Sequence, residues 1–203
     1  MKKLLFIFFI ITLSGCSQLN QSTTSHETTN KTWDEQQQQL QQLTSWTITG
    51  KLAIFLDNER QTANLHWHQE GDNYKIQLTS FIGTRVLQIT KNEQGVEIIN
   101  NDGDKFVGSD VNTLIKKLAP NLAFPVSALQ QWIKGDPDEA TYIINSQQQV
   151  KELTGTDKSG SLWTVHYQQY QSFSGYILPT MLDLKRDKIR AKIAINQWTI
   201  ATN

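Results

Sequence analysis

The sequence predicts a mainly β fold: a strongly curved antiparallel sheet or open barrel with helices closing one mouth. Three observations carry this reading. About ten short segments alternate apolar and polar residues with the period of two expected of half-buried strands. Clusters of Gly, Asn and Asp separate those segments as hairpin turns do. Two helical segments with start and stop signals interrupt the run of strands partway along the chain.

The elements follow in chain order. Trp33, Leu40, Leu43 and Trp46 fall roughly at helical spacing in a Gln-rich stretch, which predicts a helix over residues 33–46. Trp46, Ile48, Gly50, Leu52, Ile54 and Leu56 then alternate with Thr47, Thr49, Lys51, Ala53 and Phe55, the pattern of a strand with one apolar face. Ala63, Leu65 and Trp67 oppose Asn64, His66 and His68, and Glu70-Gly71-Asp72-Asn73 reads as a turn. Tyr74, Ile76 and Leu78 continue the alternation to a turn at residues 80–83. Arg85, Leu87 and Ile89 lead to another turn at residues 92–95. Residues 96–99 and 105–107 flank Asn100-Asn101-Asp102-Gly103, a hairpin signal.

Ser109 or Asp110 can cap a helix that places Val111, Leu114, Ile115 and Leu118 on one face and stops at Pro120. Ser127 can cap a second helix, with Leu129, Trp132 and Ile133 apolar, Gly135 at its C-terminal position and Pro137 beyond. Strands resume over residues 142–144, 150–153, 163–167, 176–184 and 189–200, with turns such as Asp157-Lys158-Ser159-Gly160 between them.

Ahead of these elements, Lys2 and Lys3 precede the apolar run 4–11 and Leu13-Ser14-Gly15-Cys16. A basic start, an apolar stretch too short to span a bilayer and small residues at a processing point make an export signal over residues 1–15. Leu13 to Cys16 resembles the lipobox of bacterial lipoproteins, which implies lipid attachment at Cys16. Residues 16–31, rich in Ser, Thr, Asn and Gln, read as the lipidated N-terminus and a flexible tether, and residues 32–203 as a single domain. Ser17 follows the cysteine where an aspartate would mark inner-membrane retention in many enteric-type bacteria, so the same resemblance points to the outer membrane.

Composition excludes several function classes. Nineteen basic and nineteen acidic residues cancel, which argues against nucleic acid as a partner and against a broad polybasic surface for anionic lipid. The single cysteine lies in the lipobox, and no nucleophile elbow, phosphate-binding loop or dinucleotide glycine motif occurs, so the reading is of a protein that is not an enzyme and needs no cofactor. His66 and His68 share a strand face and could hold a metal, but without a nearby Cys or carboxylate at similar spacing they read as the polar face of a half-exposed strand, and no metal is expected. The tryptophans and tyrosines alternate with polar residues and read as core, so the residues alone favour a filled interior over an enclosed cavity. Ser80-Phe81-Ile82-Gly83 departs from that order: a turn tip carries two large apolar residues side by side, and both cannot readily point inward. Exposed apolar tips mark membrane or partner contacts.

Four features together, namely the lipobox, the strand opening Trp46-Thr47-Ile48-Thr49-Gly50-Lys51-Leu52-Ala53, the tip Ser80-Phe81-Ile82-Gly83-Thr84 and the segment Leu129-Gln130-Gln131-Trp132-Ile133-Lys134-Gly135-Asp136-Pro137, resemble the LolB family of outer-membrane lipoprotein receptors. The likeness runs to Ile195-Asn196-Gln197-Trp198 and covers nearly the whole chain. It implies an open, incomplete antiparallel β-barrel with helices lidding an apolar cavity. It also implies that the protein accepts lipoproteins from the periplasmic carrier LolA and releases them into the inner leaflet of the outer membrane. The family's tip carries an aliphatic residue, usually Leu after Pro. The matching positions here are Ile82 and Phe81, so the aliphatic character is kept and the proline is not. With that fold, strand parity makes Leu52, Ile54, Leu65, Trp67, Ile76 and Leu78 the candidate lining of the acyl cavity, in a chain expected to act as a monomer. The rival expectation is a lipid-anchored envelope scaffold with a filled β-sheet core.

Overall fold

The structure, a computed structural model, describes residues 31–57, 59–119 and 124–201. The expected signal, Cys16, nearly all of the tether and the helix-stopping Pro120 lie outside the described residues. β1 (Ser45–Leu56), β2 (Glu59–Glu70), β3 (Asn73–Thr79), β4 (Arg85–Asn92), β5 (Gly95–Asn100) and β6 (Lys105–Gly108) form an antiparallel meander. A second meander comprises β7 (Thr141–Ile144), β8 (Val150–Thr156), β9 (Leu162–Phe173), β10 (Tyr176–Arg186) and β11 (Ile189–Ile200). The first and last strands pair and join the two meanders, giving one sheet in the order β6-β5-β4-β3-β2-β1-β11-β10-β9-β8-β7. The edge strands β6 and β7 do not pair, so the barrel stays open. The chain must pass from one edge of the sheet to the other between β6 and β7, and α2 (Val111–Leu118) and α3 (Val126–Trp132) lie in that connection. This is why the helices fall partway along the chain, and why their apolar residues join the same buried cluster as the strands.

The expected alternation places Trp46, Ile48, Leu52, Leu65, Trp67, Tyr74 and Ile76 in the core and leaves His66 and His68 exposed on the opposite face. His68 is within 2.9 Å of Thr47 Oγ1, its cross-strand neighbour, and no cluster of three or more potential ligands occurs among the described residues. On β11 the alternation changes phase. Thr49 faces Gln197 while Gly50 faces Ile195, so Asn196 is bulged out and both Ile195 and Trp198 remain inward.

α1 (Trp33–Gln42) starts with a reciprocal cap: Glu35 N–H donates to Thr32 Oγ1, and Thr32 N–H donates to the Glu35 carboxylate at 2.8 Å. It ends at Gln42, earlier than expected, so Trp46 belongs only to β1. The buried Lys134 Nζ donates to the carbonyls of Leu40 and Leu43 at 2.8 and 3.1 Å, joining the Leu43 N–H on the Leu40 carbonyl at the end of α1. Burial lowers the Lys134 pKa, with Asp136 and Asp138 opposing that shift. Asp110, one of the two expected caps, receives the Thr113 N–H at 2.7 Å. The Ser127 cap is not formed. α3 begins two residues earlier than that cap implies, behind Pro125, whose carbonyl accepts from Leu129 N–H, and Ser127 is already helical. Pro125 supplies the fixed backbone angle at the helix entry, so no side-chain cap starts this helix.

Candidate functional site

The two halves of the inner face differ. Beneath α3, Trp132 packs with β8 and β9, where Leu153, Trp163 and Val165 are fully buried, and the Tyr167 hydroxyl donates to the Trp132 carbonyl at 2.6 Å. That half is a filled core. Over β1 to β5 the interior is not filled. α2, α3 and Phe124 bridge an apolar cavity of about 380 Å³. Leu52, Ile54, Leu65, Trp67, Ile76 and Leu78 all line it, with Leu87, Ile89 and Ile98 continuing the wall across β4 and β5. Ile115 and Leu118 of α2, Val126 and Leu129 of α3, and Ile193 of β11 complete it. The filled interior favoured by the residues alone is therefore corrected for this half of the sheet.

Among the described residues no charged side chain lines the cavity. Its polar lining comes from Gln61, Thr62, Asn100 and Asn101, which lie where β2 begins and β5 ends. Those two positions are at the same end of the sheet, because Asn64 faces Thr79, and Leu87 faces both Leu78 and Asn100. The opposite end is closed by aromatics. Trp46 packs against Trp67 and Trp198 with ring centroids 5.3 and 5.2 Å apart, and Trp67 against Tyr74 at 6.1 Å. Two of these indole N–H groups are paired: Trp67 donates to Gln69 Oε1 and Trp198 to the Pro179 carbonyl. Burial raises the Tyr74 hydroxyl above its usual range, with the nearby Asp110 adding to the shift.

The β3–β4 hairpin lies at the polar end. Phe81 is 96% exposed and Ile82 84% exposed. Neither tucks inward, so both large apolar side chains of the tip meet solvent. The neck beneath them is ordered: Ser80 N–H donates to the Thr84 carbonyl at 2.7 Å, Thr84 N–H to Ser80 Oγ at 3.1 Å, and Asn64 Nδ2 to the Ser80 carbonyl at 3.0 Å. Gly83 closes the turn by donating to the Ser80 carbonyl, with a φ of +86°, a conformation that glycine adopts without a steric penalty. Val86, four residues past Ile82, is 40% exposed and also lines the cavity, so the apolar lining continues outward beside the tip.

Parity placed the six expected residues on the cavity side, and the same rule carried to β4 and β5 would have added Leu87, Ile89 and Ile98. The helical lining was signalled in part by the apolar face of residues 111–118. Nothing in the local sequence marked Phe124, which arrives through the crossover, and the alternation of β11 assigns Ile193 a face but not its place beside β1.

A family model described as "Outer membrane lipoprotein LolB" matches residues 44–198. The outer-membrane lipoprotein LolB of Psychromonas ingrahamii is 38% identical over 194 residues, covering 96% of this chain and 94% of that protein. Its counterpart in Tolumonas auensis is 32% identical over 201 residues, covering 99% and 98%. In three dimensions the chain is similar to a LolA superfamily protein from Nitrosomonas europaea, with a TM-score of 0.53 and 11% identity over 80% of this chain and 88% of the other, a likeness of fold. The half-filled open sheet, its neutral cavity and the match over three quarters of the sequence converge: the chain belongs to the LolB family, outer-membrane lipoproteins of lipoprotein localization and not enzymes.

Proposed function

We propose that this protein accepts lipoproteins from a LolA-like periplasmic carrier, shields their acyl chains in the cavity over β1 to β5, and releases them into the inner leaflet of the outer membrane. Cys16 carries the lipid that anchors it there, residues 16–31 serve as the tether, and the domain works as a monomer. The observation that carries the reading is an apolar cavity, with no charged side chain among its described lining residues, whose polar end lies beside a tip with two exposed apolar side chains. A triacylated lipoprotein would expose about forty methylenes to water, a cost on the order of 30 kcal/mol, so an unassisted crossing is negligible. An apolar cavity of about 150 Å³ holds one benzene ring, so about 380 Å³ corresponds to roughly fifteen carbons, or one acyl chain. A scaffold with a filled interior would not need this space.

Release is assigned to the tip. Burying Ile82 in hydrocarbon contributes about 1.5 to 3 kcal/mol, roughly ten- to a hundredfold in a partition step. The test is transfer of a radiolabelled lipoprotein from purified carrier to the protein and on to liposomes. Ile82→Glu is expected to accept lipoprotein from the carrier as before and to deliver it at least tenfold more slowly, so that label accumulates on the protein. Delivery by Ile82→Glu at the unmutated rate would remove membrane entry from the tip's role.

A further inference from the structure

The net charge of the chain is zero, yet its basic residues are not evenly spread. The turns β1–β2, β3–β4, β5–β6, β8–β9 and β10–β11 fall at one end of the sheet, as the register requires: Leu56 faces both Glu59 and Ile189, Leu87 faces Asn100, and Lys185 faces Thr164. At this end, on the face away from the cavity, one row across β10, β11, β1 and β2 reads Lys185, Arg190, Phe55, Arg60. The Arg60 and Arg190 guanidiniums lie 5.5 and 5.8 Å from the Phe55 ring centroid, a cation on either side of one phenyl group. The next two rows across the same strands add Lys192 and Lys51, and the only acid among the three rows is Asp183. Asp183 is 3% exposed and is taken up by Arg190, whose Nε lies 2.8 and 3.1 Å from its two oxygens. Arg60 and Lys185 have no ion-pair partner among the described residues. Placing Lys185 directly opposite Arg190 costs stability in a sheet, which makes this row a poor choice for folding alone.

The row lies at the same end of the sheet as the tip. Arg60 stands four residues beyond Asn64, and Ile82 three beyond Thr79, which faces Asn64. At about 3.3 Å per residue Arg60 stands roughly 13 Å past that last β2–β3 pair, whereas Ile82 lies within the turn closed by Gly83 N–H and the Ser80 carbonyl and projects less far. Arg85, exposed at the start of β4, adds a further cation at the base of the tip.

We infer that the row Lys185, Arg190, Phe55, Arg60 is a docking surface for anionic phospholipid headgroups, engaged when the tip enters the bilayer. The inference rests on the proposed membrane entry of Ile82. Guanidinium and ammonium groups pair with phosphate through charge-assisted hydrogen bonds, and Phe55 holds its two guanidiniums in place. Apolar side chains and cations gathered at one end of the sheet match the boundary of a hydrocarbon layer and a phosphate layer. An acidic protein surface, such as that of a carrier, is the alternative occupant that the experiment separates.

The test uses the anchored protein with Thr84→Cys, labelled with an environment-sensitive fluorophore, in vesicles of phosphatidylcholine with or without phosphatidylglycerol. Quenching by a lipid-borne quencher reports the ratio of inserted to free tips. That ratio is expected to be about tenfold or more higher with phosphatidylglycerol, since each basic group near an anionic surface contributes about a fivefold factor. The preference should vanish in high salt and in Arg60→Glu/Lys185→Glu, while acceptance from the carrier is unchanged. Equal insertion in both vesicles overturns the headgroup surface and leaves the tip's role standing. No insertion in either overturns both. Retained preference in the double variant with acceptance lost assigns the surface to the carrier instead. The salt measurement on the unmutated row decides the matter if the double variant does not fold.

Discussion

Asp157 shows how much one carboxylate can hold in place. It receives the Ser159 and Ser161 N–H groups, the Ser159 hydroxyl and the Trp163 indole N–H, so one side chain fixes the β8–β9 turn and a fully buried tryptophan. Burial works to raise its pKa, but these hydrogen bonds together hold it below the ordinary 3.8. A carboxyl group with a depressed pKa stabilises the fold above its unfolded value and loses that contribution as pH falls through its folded value, so the window lies below about 3.8. Asp157→Asn should lower stability at pH 7 by about 2 kcal/mol. It should also show a flatter loss of stability below that point than the parent, read from urea midpoints across the acid range. A parallel acid profile in the two proteins would show that Asp157 does not carry this dependence. The sequence marked residues 157–160 as a turn, but the reach of the carboxylate to Trp163 is a tertiary arrangement that turn chemistry does not encode. Phe81 and Ile82 are the opposite case. That both could not point inward was legible locally, because a short hairpin tip cannot hold two large side chains, but one of them could have been tucked in, and only the structure shows both exposed.

At the level of elements, alternation made nearly every strand legible, since one buried face imposes a period of two. The exceptions have physical causes. The phase change on β11 was hidden because Ile195 and Trp198 each fit an alternating pattern, and only pairing with β1 reveals the bulged Asn196. The Ser127 cap failed because Pro125 starts α3 without a side-chain hydrogen bond. Gly50 was assigned to the apolar face, and its position shows why a glycine stands there: a Cβ would overlap the Ala194 carbonyl oxygen and press on Ile195 Cα. Gly50→Ala should therefore destabilise the central β1–β11 junction by about 1 to 3 kcal/mol or more, because the atoms in the way are backbone. Thermal unfolding measures this directly. A melting temperature equal to that of the parent would mean that the bulge accommodates a methyl group at no cost.

On the scale of the molecule, the sequence showed which side chains face inward but not whether the interior is filled. Parity assigns faces. Volume depends on how far α2 and α3 stand from the sheet, and that distance is set by a crossover spanning the sheet from β6 to β7. The result is divided: Trp132 fills the space over β8 and β9, whereas the smaller Leu129, Val126 and Ile115 leave it open over β1 to β5. Charge behaves in the same way. A net charge of zero argued against a broad basic surface, yet five cations gather on three adjoining rows of four strands because composition carries no register. The central claim is that acyl chains occupy the open half of the sheet, and adjacent positions on β3 offer the most direct test. A photoreactive amino acid at Leu78 lies in the cavity lining, and one at Gln77 lies on the opposite face. After transfer of lipoprotein from the carrier, position 78 is expected to crosslink to the acyl chains and position 77 is not. Crosslinking from position 77 as strong as from position 78 would contradict the account.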